Sequence, residues 1–335
     1  MAVSVRDVAA AASVSVGTVS NVLNQPSKVA PATVERVMNA ISELGYVRND
    51  AARQLRAGRS RCIGLVVLDV GNPFFAEVAR GAEARAAEEG MTVLLGSSDE
   101  RVDRESTYLD LFQEQRVNGV LVTPATDDLA PLARLRDAGV PVVLVDRETI
   151  GGEYLSVAVD DIEGGQLAVS HLLELGRRRV AFIGGPRSLR QVADRLEGAR
   201  RAVAEVPGAT LEVIEMSALS VLQGREAGEL LRGRAAADRP DAVFAANDLL
   251  AVGALQAFTL MADLQVPRDI ALIGYDDIDF ASATVVPLSS IRQPAHLIGY
   301  TAVDLLLKDI EDPDGDHDRT VRFQPELVVR ESTAG

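Results

Sequence analysis

The sequence predicts a small all-α head, a short basic hinge helix and a larger two-lobed α/β core of parallel sheets. Apolar residues recur at helical spacing over residues 5–44, arginines crowd residues 47–61, and from residue 62 short β-branched runs alternate with helical stretches. Charge divides the chain at the same place. Residues 1–61 hold eight Lys and Arg against four Asp and Glu, whereas the whole chain holds 34 against 49. Such an asymmetry is expected when only one end of a protein meets a polyanion.

Three helices are predicted in the head. Ser4 suits the N-cap of the first helix, with Asp7 three residues later, and Ser15 suits the N-cap of the second. The third helix should run from about Pro31 to Leu44, because proline favours a first helical position and Gly45 favours an exit. Its inward face is expected to hold Val34, Val37, Met38, Ile41 and Leu44.

Strands of the core are predicted from eight apolar runs, each followed by a helical stretch. These runs are CIGLVVLDV, MTVLLGSS, NGVLVTPA, PVVLVDR, RVAFIGGP, LEVIEM, DAVFAAND and IALIGYDD. Buried strands that alternate with helices form parallel sheets covered on both faces, and a seam near residues 156–165 divides them into two similar lobes. Ligands of such sheets bind at the carboxyl ends of the strands. Here those ends carry Asp69, Thr123, Asp146, Asn247 and Asp276.

Composition excludes several classes of protein. A single cysteine, Cys62, rules out a disulfide framework within the chain and fits a reducing cytosol. Arg6 and Asp7 come too early for a signal peptide, and no apolar run approaches the roughly 18 residues of a membrane span. The three histidines show neither metal-ligand spacing nor a nucleophile motif. We therefore expect a cytoplasmic protein with no catalytic residue, no metal and no cofactor.

Several ordered segments make the chain resemble the LacI/GalR (lac/purine repressor) family of bacterial transcription regulators. The segments are DVAAAASVSVGTVSNVLN, NDAARQLRAG, IGLVV, GNPFF, FAANDLLAVGAL and IGYDDIDFA. The resemblance implies a helix-turn-helix head over residues 1–46, a hinge helix over 47–60 and a periplasmic-binding-protein-like core over 61–335. The N-lobe would comprise residues of about 61–160 and 291–320, and the C-lobe about 161–290 and 321–332.

By this resemblance the second helix of the head lies in the major groove of DNA. Asn21 can pair with an adenine edge, Val16 offers a methyl face to thymine, and Gly17 lets the backbone lie close to the groove. For each of these residues the alternative is a place on a solvent-exposed helix face without contact to DNA. The DNA-binding residues expected in the head are Ser4, Val16, Gly17, Thr18, Ser20, Asn21 and Asn24.

In the hinge, Arg53, Leu55 and Arg56 are the expected DNA contacts. The resemblance implies that Leu55, a lone large apolar residue among arginines, enters the minor groove and bends the duplex. An ordinary flexible linker with a locally packed leucine is the alternative.

For the core, the resemblance implies ligand contacts whose chemistry suits a small polyol. They are Phe75, Thr123, Asp146, Gln191, Arg195, Asn247, Asp276 and Gln293. Carboxylates can accept hydrogen bonds from hydroxyls, and Arg195 offers a forked donor. Three alternatives stay open. Asn247 or Asp248 could simply cap the next helix, Asp276 could form a turn, and Arg195 could lie on a helix surface.

The function expected is that of a ligand-responsive repressor of carbohydrate-utilisation genes. Its partners would be double-stranded operator DNA, a small effector such as a monosaccharide, and a second copy of the chain in a homodimer; no membrane is expected. The sign of the response is open, because a sugar inducer would release DNA whereas a purine-type co-repressor would tighten it. An enzyme and a solute receptor of a transporter are the rival classes. The lack of metal-ligand spacing and of a nucleophile motif argues against an enzyme, and the basic head and the missing secretion signal argue against a solute receptor.

Overall fold

The computed structural model describes residues 3–46, 60–149, 152–260, 264–313, 315 and 318–334. Contacts divide the chain into two units, Met1–Ser60 and Arg61–Gly335. The division lies beside residue 61, where the sequence analysis began the core. The predicted hinge contacts Arg53, Leu55 and Arg56 lie outside the described residues.

The first unit contains three α-helices around a small apolar core. Helices α1, α2 and α3 span Val5–Ala11, Val16–Asn24 and Pro31–Leu44, with a 3-10 turn at Pro26–Lys28. The third helix has the predicted bounds, and Gly45 ends it in the left-handed conformation, with φ of 62°. The core consists of Val8, Ala9, Ala12, Val19, Val22, Val37 and Ala40.

One prediction for α3 was wrong. Met38 is 48% exposed and Leu44 36% exposed, so neither belongs to the inward face. Val37 and Ala40 occupy that face, with Val34 and Ile41 packed at its edge. Successive residues of a helix are rotated by about 100° around its axis, so Met38 lies on a different side of α3 from Val37. Helices α1 and α2 are short and cover only a narrow stripe of α3.

The second unit contains two lobes, each built on a six-stranded sheet. The sheet of lobe 1 has the order β11-β5-β4-β3-β1-β2. Its strands are β1 (Cys62–Val67), β2 (Thr92–Ser97), β3 (Val120–Val122), β4 (Val142–Val145), β5 (Leu155–Val159) and β11 (Thr320–Phe323). Its helices are α4 (Pro73–Glu88), α5 (Val102–Glu114), α6 (Ala130–Asp137) and α12 (Ala295–Glu311). Two apolar layers cover the two faces of this sheet, so its central strands are buried on both sides.

Lobe 2 repeats this plan, with the order β12-β10-β9-β8-β6-β7. Its strands are β6 (Arg179–Gly184), β7 (Thr210–Glu215), β8 (Ala242–Ala245), β9 (Ala271–Asp276), β10 (Ser289–Arg292) and β12 (Glu326–Val328). Its helices are α7 (Asp161–Glu174), α8 (Arg190–Ala204), α9 (Val221–Arg232), α10 (Asp248–Thr259) and α11 (Asp279–Ala283). In each lobe the strand order reverses beside the first strand, and such a switch point opens a crevice at the carboxyl ends of the strands.

All eight strands predicted from apolar runs are present, but four others were missed. These are β5, β10, β11 and β12, and the last runs antiparallel to β10, so the second sheet is not wholly parallel. Strands β11 and β12 are short and partly exposed edge strands, and they therefore lack the continuous apolar run of a buried parallel strand.

The chain passes between the lobes three times, after β5, after β10 and after β11. The second and third passages lie a few residues later than the sequence analysis placed them. Strand β10 ends at Arg292 in the second sheet, and β11 continues to Phe323 in the first. Strand pairing, which the sequence does not display, decides these boundaries.

Candidate functional site

One candidate site is the exposed side of α2 in the first unit. Val16 is 42% exposed, Gly17 and Asn21 are exposed, and Thr18 and Ser20 are half-buried. Ser15 caps the helix, because its Oγ accepts a hydrogen bond from the backbone N–H of Thr18 at 3.0 Å. The two hydroxyls of Ser15 and Thr18 also lie 2.9 Å apart. The amino end of α2 is therefore fixed while its outer residues stay accessible.

Other predicted DNA contacts in the head are engaged in local hydrogen bonds. Asn24 donates its amide to the Ser20 carbonyl oxygen at 2.9 Å and to Ser20 Oγ at 3.2 Å. Ser4 donates its backbone N–H and its hydroxyl to Asp7 Oδ2 at 2.8 and 2.7 Å. Asn21 makes no side-chain hydrogen bond within residues 3–46, and its amide is free to meet a base edge.

The second candidate site is a cavity of about 420 Å³, including its solvent-open part, between the two lobes of the second unit. It lies where the carboxyl ends of both sheets face each other. Its lining is Leu68, Asp69, Asn72, Phe74, Phe75, Glu100, Asp146, Leu189, Gln191, Val192, Arg195, Leu219, Asn247 and Asp276. Six of the eight predicted ligand residues are in this set.

Asp276, the last residue of β9, is the most constrained carboxylate of the cavity. Its Oδ1 accepts a hydrogen bond from Gln293 at 2.8 Å and its Oδ2 accepts one from Asn72, on the other lobe, at 3.1 Å. Its backbone has φ of 103°, and Asp277 follows with φ of 53°. The turn that the sequence left open therefore exists, and it directs the carboxylate into the cavity. Burial raises the pKa of Asp276 to about 6, although Arg195 and the two amides oppose the shift.

Arg195 is buried in the second lobe, which excludes the helix-surface alternative. Its Nε donates to Asp161 Oδ1 at 2.7 Å, and its Nη1 donates to the Ala246 carbonyl oxygen at 2.7 Å. Its guanidinium lies 3.7 Å from the centre of the Tyr275 ring. Burial alone would lower the pKa of Arg195, but the surrounding carboxylates, Asp161 first, raise it above its ordinary value.

Asp146 and Gln191 join the lobes on one side of the cavity. Gln191 Nε2 donates to the backbone oxygen of Asp146 at 2.9 Å and to its Oδ2 at 3.0 Å. Asp146 also has a left-handed backbone, with φ of 55°. Burial, followed by the charge of Asp161, raises its pKa well above the ordinary value. Asp146 Oδ1 and Gln191 Oε1 are buried with no hydrogen-bond partner among the described residues, and so they remain available to a ligand that brings donors.

Asn247 takes the capping role that the sequence left as an alternative, and it also lines the cavity. Its Oδ1 accepts from the backbone N–H of Leu250 at 2.9 Å, and its Nδ2 donates to the Leu219 carbonyl oxygen at 3.2 Å. Asp248 is fully buried behind it and accepts hydrogen bonds from Ser290 Oγ at 2.7 Å and from the Ile278 N–H at 2.9 Å. Asp248 therefore supports the turn that carries Asp276.

Phe75, for which the role of an apolar wall was predicted, lines the cavity together with Phe74. The two rings pack edge to face, with their centres 5.0 Å apart, and both are nearly fully buried. Thr123 and Gln293 lie apart from the cavity lining. Thr123 is fully buried at the end of β3, and Gln293 reaches the site only through its hydrogen bond to Asp276.

Three polar residues of the cavity or its support were missed by the sequence analysis as ligand candidates. Asn72 caps α4, since its Oδ1 accepts from the Phe74 N–H at 3.0 Å. Glu100 follows β2 and accepts from the Leu219 N–H, across the cleft, at 3.3 Å. The third is Asp161, which accepts from Arg195, and Asp69, named only as a strand end, also lines the cavity. Their position just after a strand was the available signal, because that is where the two sheets meet.

Within the described residues no group of His, Cys, Asp and Glu could hold a metal ion. None of the helices in that part of the chain is long and apolar enough to span a membrane.

Two family models match the chain. The model described as "Bacterial regulatory proteins, lacI family" matches residues 4–49, and the model described as "Periplasmic binding protein-like domain" matches residues 169–333. The ribose operon repressor of Halalkalibacterium halodurans is 35% identical, over 99% of this chain and 97% of its own length. The transcriptional repressor PurR of Vibrio vulnificus is 33% identical over 98% of both chains. The structure of the lac repressor dimer bound to operator and the anti-inducer ONPF superposes with a TM-score of 0.84, at 28% identity over 99% of both chains.

Proposed function

Since the chain belongs to the lacI family of bacterial regulatory proteins, we propose that it represses carbohydrate-utilisation genes and that a small sugar releases it from its operator. It is a ligand-responsive DNA-binding repressor and not an enzyme. What remains to be decided is the effector, the sign of its effect and the residues that contact it.

The observation that carries the sugar proposal is the cavity between the lobes. Carboxylate, amide and guanidinium groups converge there beside an aromatic wall. A sugar presents hydroxyl groups that donate and accept hydrogen bonds around a ring with apolar faces, so this combination suits it. Asp146, Asp276 and Arg195 are the polar contacts we assign, with Phe75 against a ring face.

The mechanism we propose is a shift between two orientations of the lobes. Hydrogen bonds now join the lobes directly, from Asn72 to Asp276, from Gln191 to Asp146 and from Leu219 to Glu100. A ligand that engages the same atoms changes the free energy of this arrangement relative to others. Two copies in a homodimer would present two α2 helices to a pseudo-palindromic operator, and the orientation of the lobes would set how the two DNA-binding heads are spaced.

A purine co-repressor is the second candidate, because several relatives, among them the Vibrio vulnificus protein, are named PurR. The two candidates predict opposite effects on DNA. Fluorescence anisotropy of the full-length protein on a palindromic duplex from upstream of its own operon distinguishes them. We expect that a monosaccharide such as ribose lowers the affinity for the duplex. An increase in affinity with hypoxanthine or guanine, and no response to any monosaccharide, would replace the sugar proposal with the co-repressor.

A further inference from the structure

The effector cavity has more acidic than basic residues in its lining. Asp69, Glu100, Asp146 and Asp276 line it, whereas Arg195 is the only basic residue that the described part of the chain contributes to the lining. The guanidinium of Arg195 is already bound to the Asp161 carboxylate and to the Ala246 carbonyl oxygen. An anionic ligand would therefore meet little positive charge that Asp161 does not already compensate.

Glu100 is one of these four lining carboxylates. It follows β2 with a left-handed backbone, at φ of 58°, and its Oε1 reaches the Leu219 N–H of the opposite lobe at 3.3 Å. Its Oε2 has no hydrogen-bond partner within the described residues. Burial, with the charge of Asp69 added, raises the pKa of Glu100 to about 7, although the Leu219 N–H opposes the shift. Among the described residues, no ion pair joins Glu100 to an arginine or a lysine.

Unsatisfied acceptors in the cavity provide an independent observation. Asp146 is 3% exposed and Gln191 4% exposed, yet Asp146 Oδ1 and Gln191 Oε1 lack partners among the described residues. The amide of Gln191 is oriented unambiguously, because its nitrogen faces two oxygens of Asp146. Buried acceptors without protein partners are completed by donors from ordered water or from a ligand that displaces it. Hydroxyl groups are donors, whereas an ionised phosphoryl group brings acceptors and negative charge.

The helix termini at the cavity offset this acidity only in part. Helices α4, α8 and α10 begin there, and their first N–H groups would favour an anion. Asn72 and Asn247 already accept from one N–H group of α4 and of α10, whereas α8 has no capping side chain. The cavity thus combines an excess of carboxylates and unsatisfied acceptors with three helix termini, two of which are partly occupied.

We propose that Glu100 is a specificity-determining residue that makes this site select uncharged sugars and reject their phosphate esters. The inference rests on the proposed function, since it specifies the effector of the same site. Glu100 Oε2 would accept a hydrogen bond from a sugar hydroxyl, and its charge would repel a phosphoryl group at the mouth of the cleft.

Isothermal titration of the full-length protein at about pH 8, where Glu100 is ionised, tests the inference. The probes are ribose, glucose, galactose and fructose, each paired with its phosphate ester. For a sugar that binds, we expect at least about tenfold tighter binding than for its ester. Glu100→Gln keeps an acceptor for the Leu219 N–H and removes only the charge. It should lower the ratio of sugar affinity to ester affinity at least about threefold. Asp110→Asn, on the exposed side of α5, is the matched control and should leave the ratio unchanged.

Two results would overturn the inference while leaving the proposed function intact. One is a phosphate ester that binds as tightly as its sugar and releases the operator duplex. The other is a ratio that Glu100→Gln leaves unchanged. If neither the sugars nor their esters bind, the proposed sugar effector fails, and this inference fails with it.

Discussion

Asp146 and Asp276 share three properties at the scale of single residues. Both have a backbone in the left-handed region, both are at least 94% buried, and burial raises the pKa of both. Positive φ in a residue other than glycine costs about 1 kcal/mol or more, and it persists where the surrounding structure enforces it. Here it turns each carboxylate from the end of a strand into the cleft. Strain and desolvation are thus concentrated at the residues we assign to the effector.

Effector affinity should depend on pH through Asp276. The pKa of Asp276 is raised to about 6, so this carboxylate is ionised at neutral pH and gains a proton as the pH falls through that value. Protonation removes an acceptor that a sugar hydroxyl would use. We therefore expect affinity for the monosaccharide to fall below pH 6, by at most about tenfold per pH unit for one linked proton. Calorimetric titration between pH 5 and pH 8 measures this.

The control for this prediction is Asp276→Asn. Its residual affinity should be lower at neutral pH and should vary less between pH 5 and pH 6.5 than that of the unmodified protein. A pH profile that the substitution does not alter would assign the titration to another group of the cavity, first of all Glu100, whose pKa is raised to about 7.

Gly17 is a second residue whose role can be tested. The nearest atom to a Cβ at this position would be Ser15 Oγ, at 3.6 Å, which is an ordinary contact. The fold of the head therefore does not require glycine there. Gly17→Ala should stabilise the head by up to about 1 kcal/mol, since alanine is the better helix former. If glycine serves close approach to DNA, operator affinity should nevertheless fall about tenfold. Urea unfolding and anisotropy on the same variant test the two effects, and unchanged operator affinity would contradict the assigned role.

At the scale of elements, the placement of α8 decides the effector site, because this helix carries Gln191 and Arg195. It packs closely on α7 through a reciprocal pair of glycines, Gly165 and Gly198. A Cβ on Gly165 would overlap the Arg195 carbonyl oxygen, and a Cβ on Gly198 would overlap the Ile162 carbonyl oxygen. The two backbones are thus in direct contact, which fixes α8 relative to α7.

Gly198→Ala should therefore disturb the effector site from a distance. The added methyl group forces the two helices apart, and overpacking of this kind costs about 1–3 kcal/mol. We expect a lower melting temperature and at least about tenfold weaker effector binding, because such a shift moves Arg195 out of position. Gly233→Ala is the control, since its Cβ would come no closer than 3.4 Å to the Glu229 oxygen. Equal effector affinity of the two variants would show that the position of α8 does not control effector binding.

How far the elements could be predicted depended on burial. Every strand buried on both faces with a long apolar run was visible in the sequence, as were all three helices of the head. Met38 was wrongly assigned to the buried face because it is apolar. Buried residues are mostly apolar, but many apolar residues are exposed. Asn72 and Glu100 were missed because a polar residue after a strand looks the same whether it caps a helix, ends in solvent or faces a second lobe.

At the scale of the whole molecule, the two units have separate cores. Contacts divide the chain between Ser60 and Arg61, and the apolar cluster of the first unit contains no residue of the second. A variant that begins at Arg61 should therefore retain sugar affinity within about threefold and lose specific operator binding. Calorimetry with the monosaccharide and anisotropy with the operator duplex measure the two properties. Specific, salt-sensitive DNA binding by the shortened protein would contradict this division of roles.

The sequence by itself determined the order of the units, the basic head before an acidic core, the helices of the head and the eight strands with long apolar runs. These features depend on local periodicity and composition, which are properties of neighbouring residues. Only the tertiary structure decided which polar side chains meet. It brought Asn72 to Asp276 and Glu100 to Leu219 across the cleft, and it exposed Met38. The two contacts join residues more than a hundred positions apart. They arise because the carboxyl ends of the two sheets face each other, which no local pattern encodes.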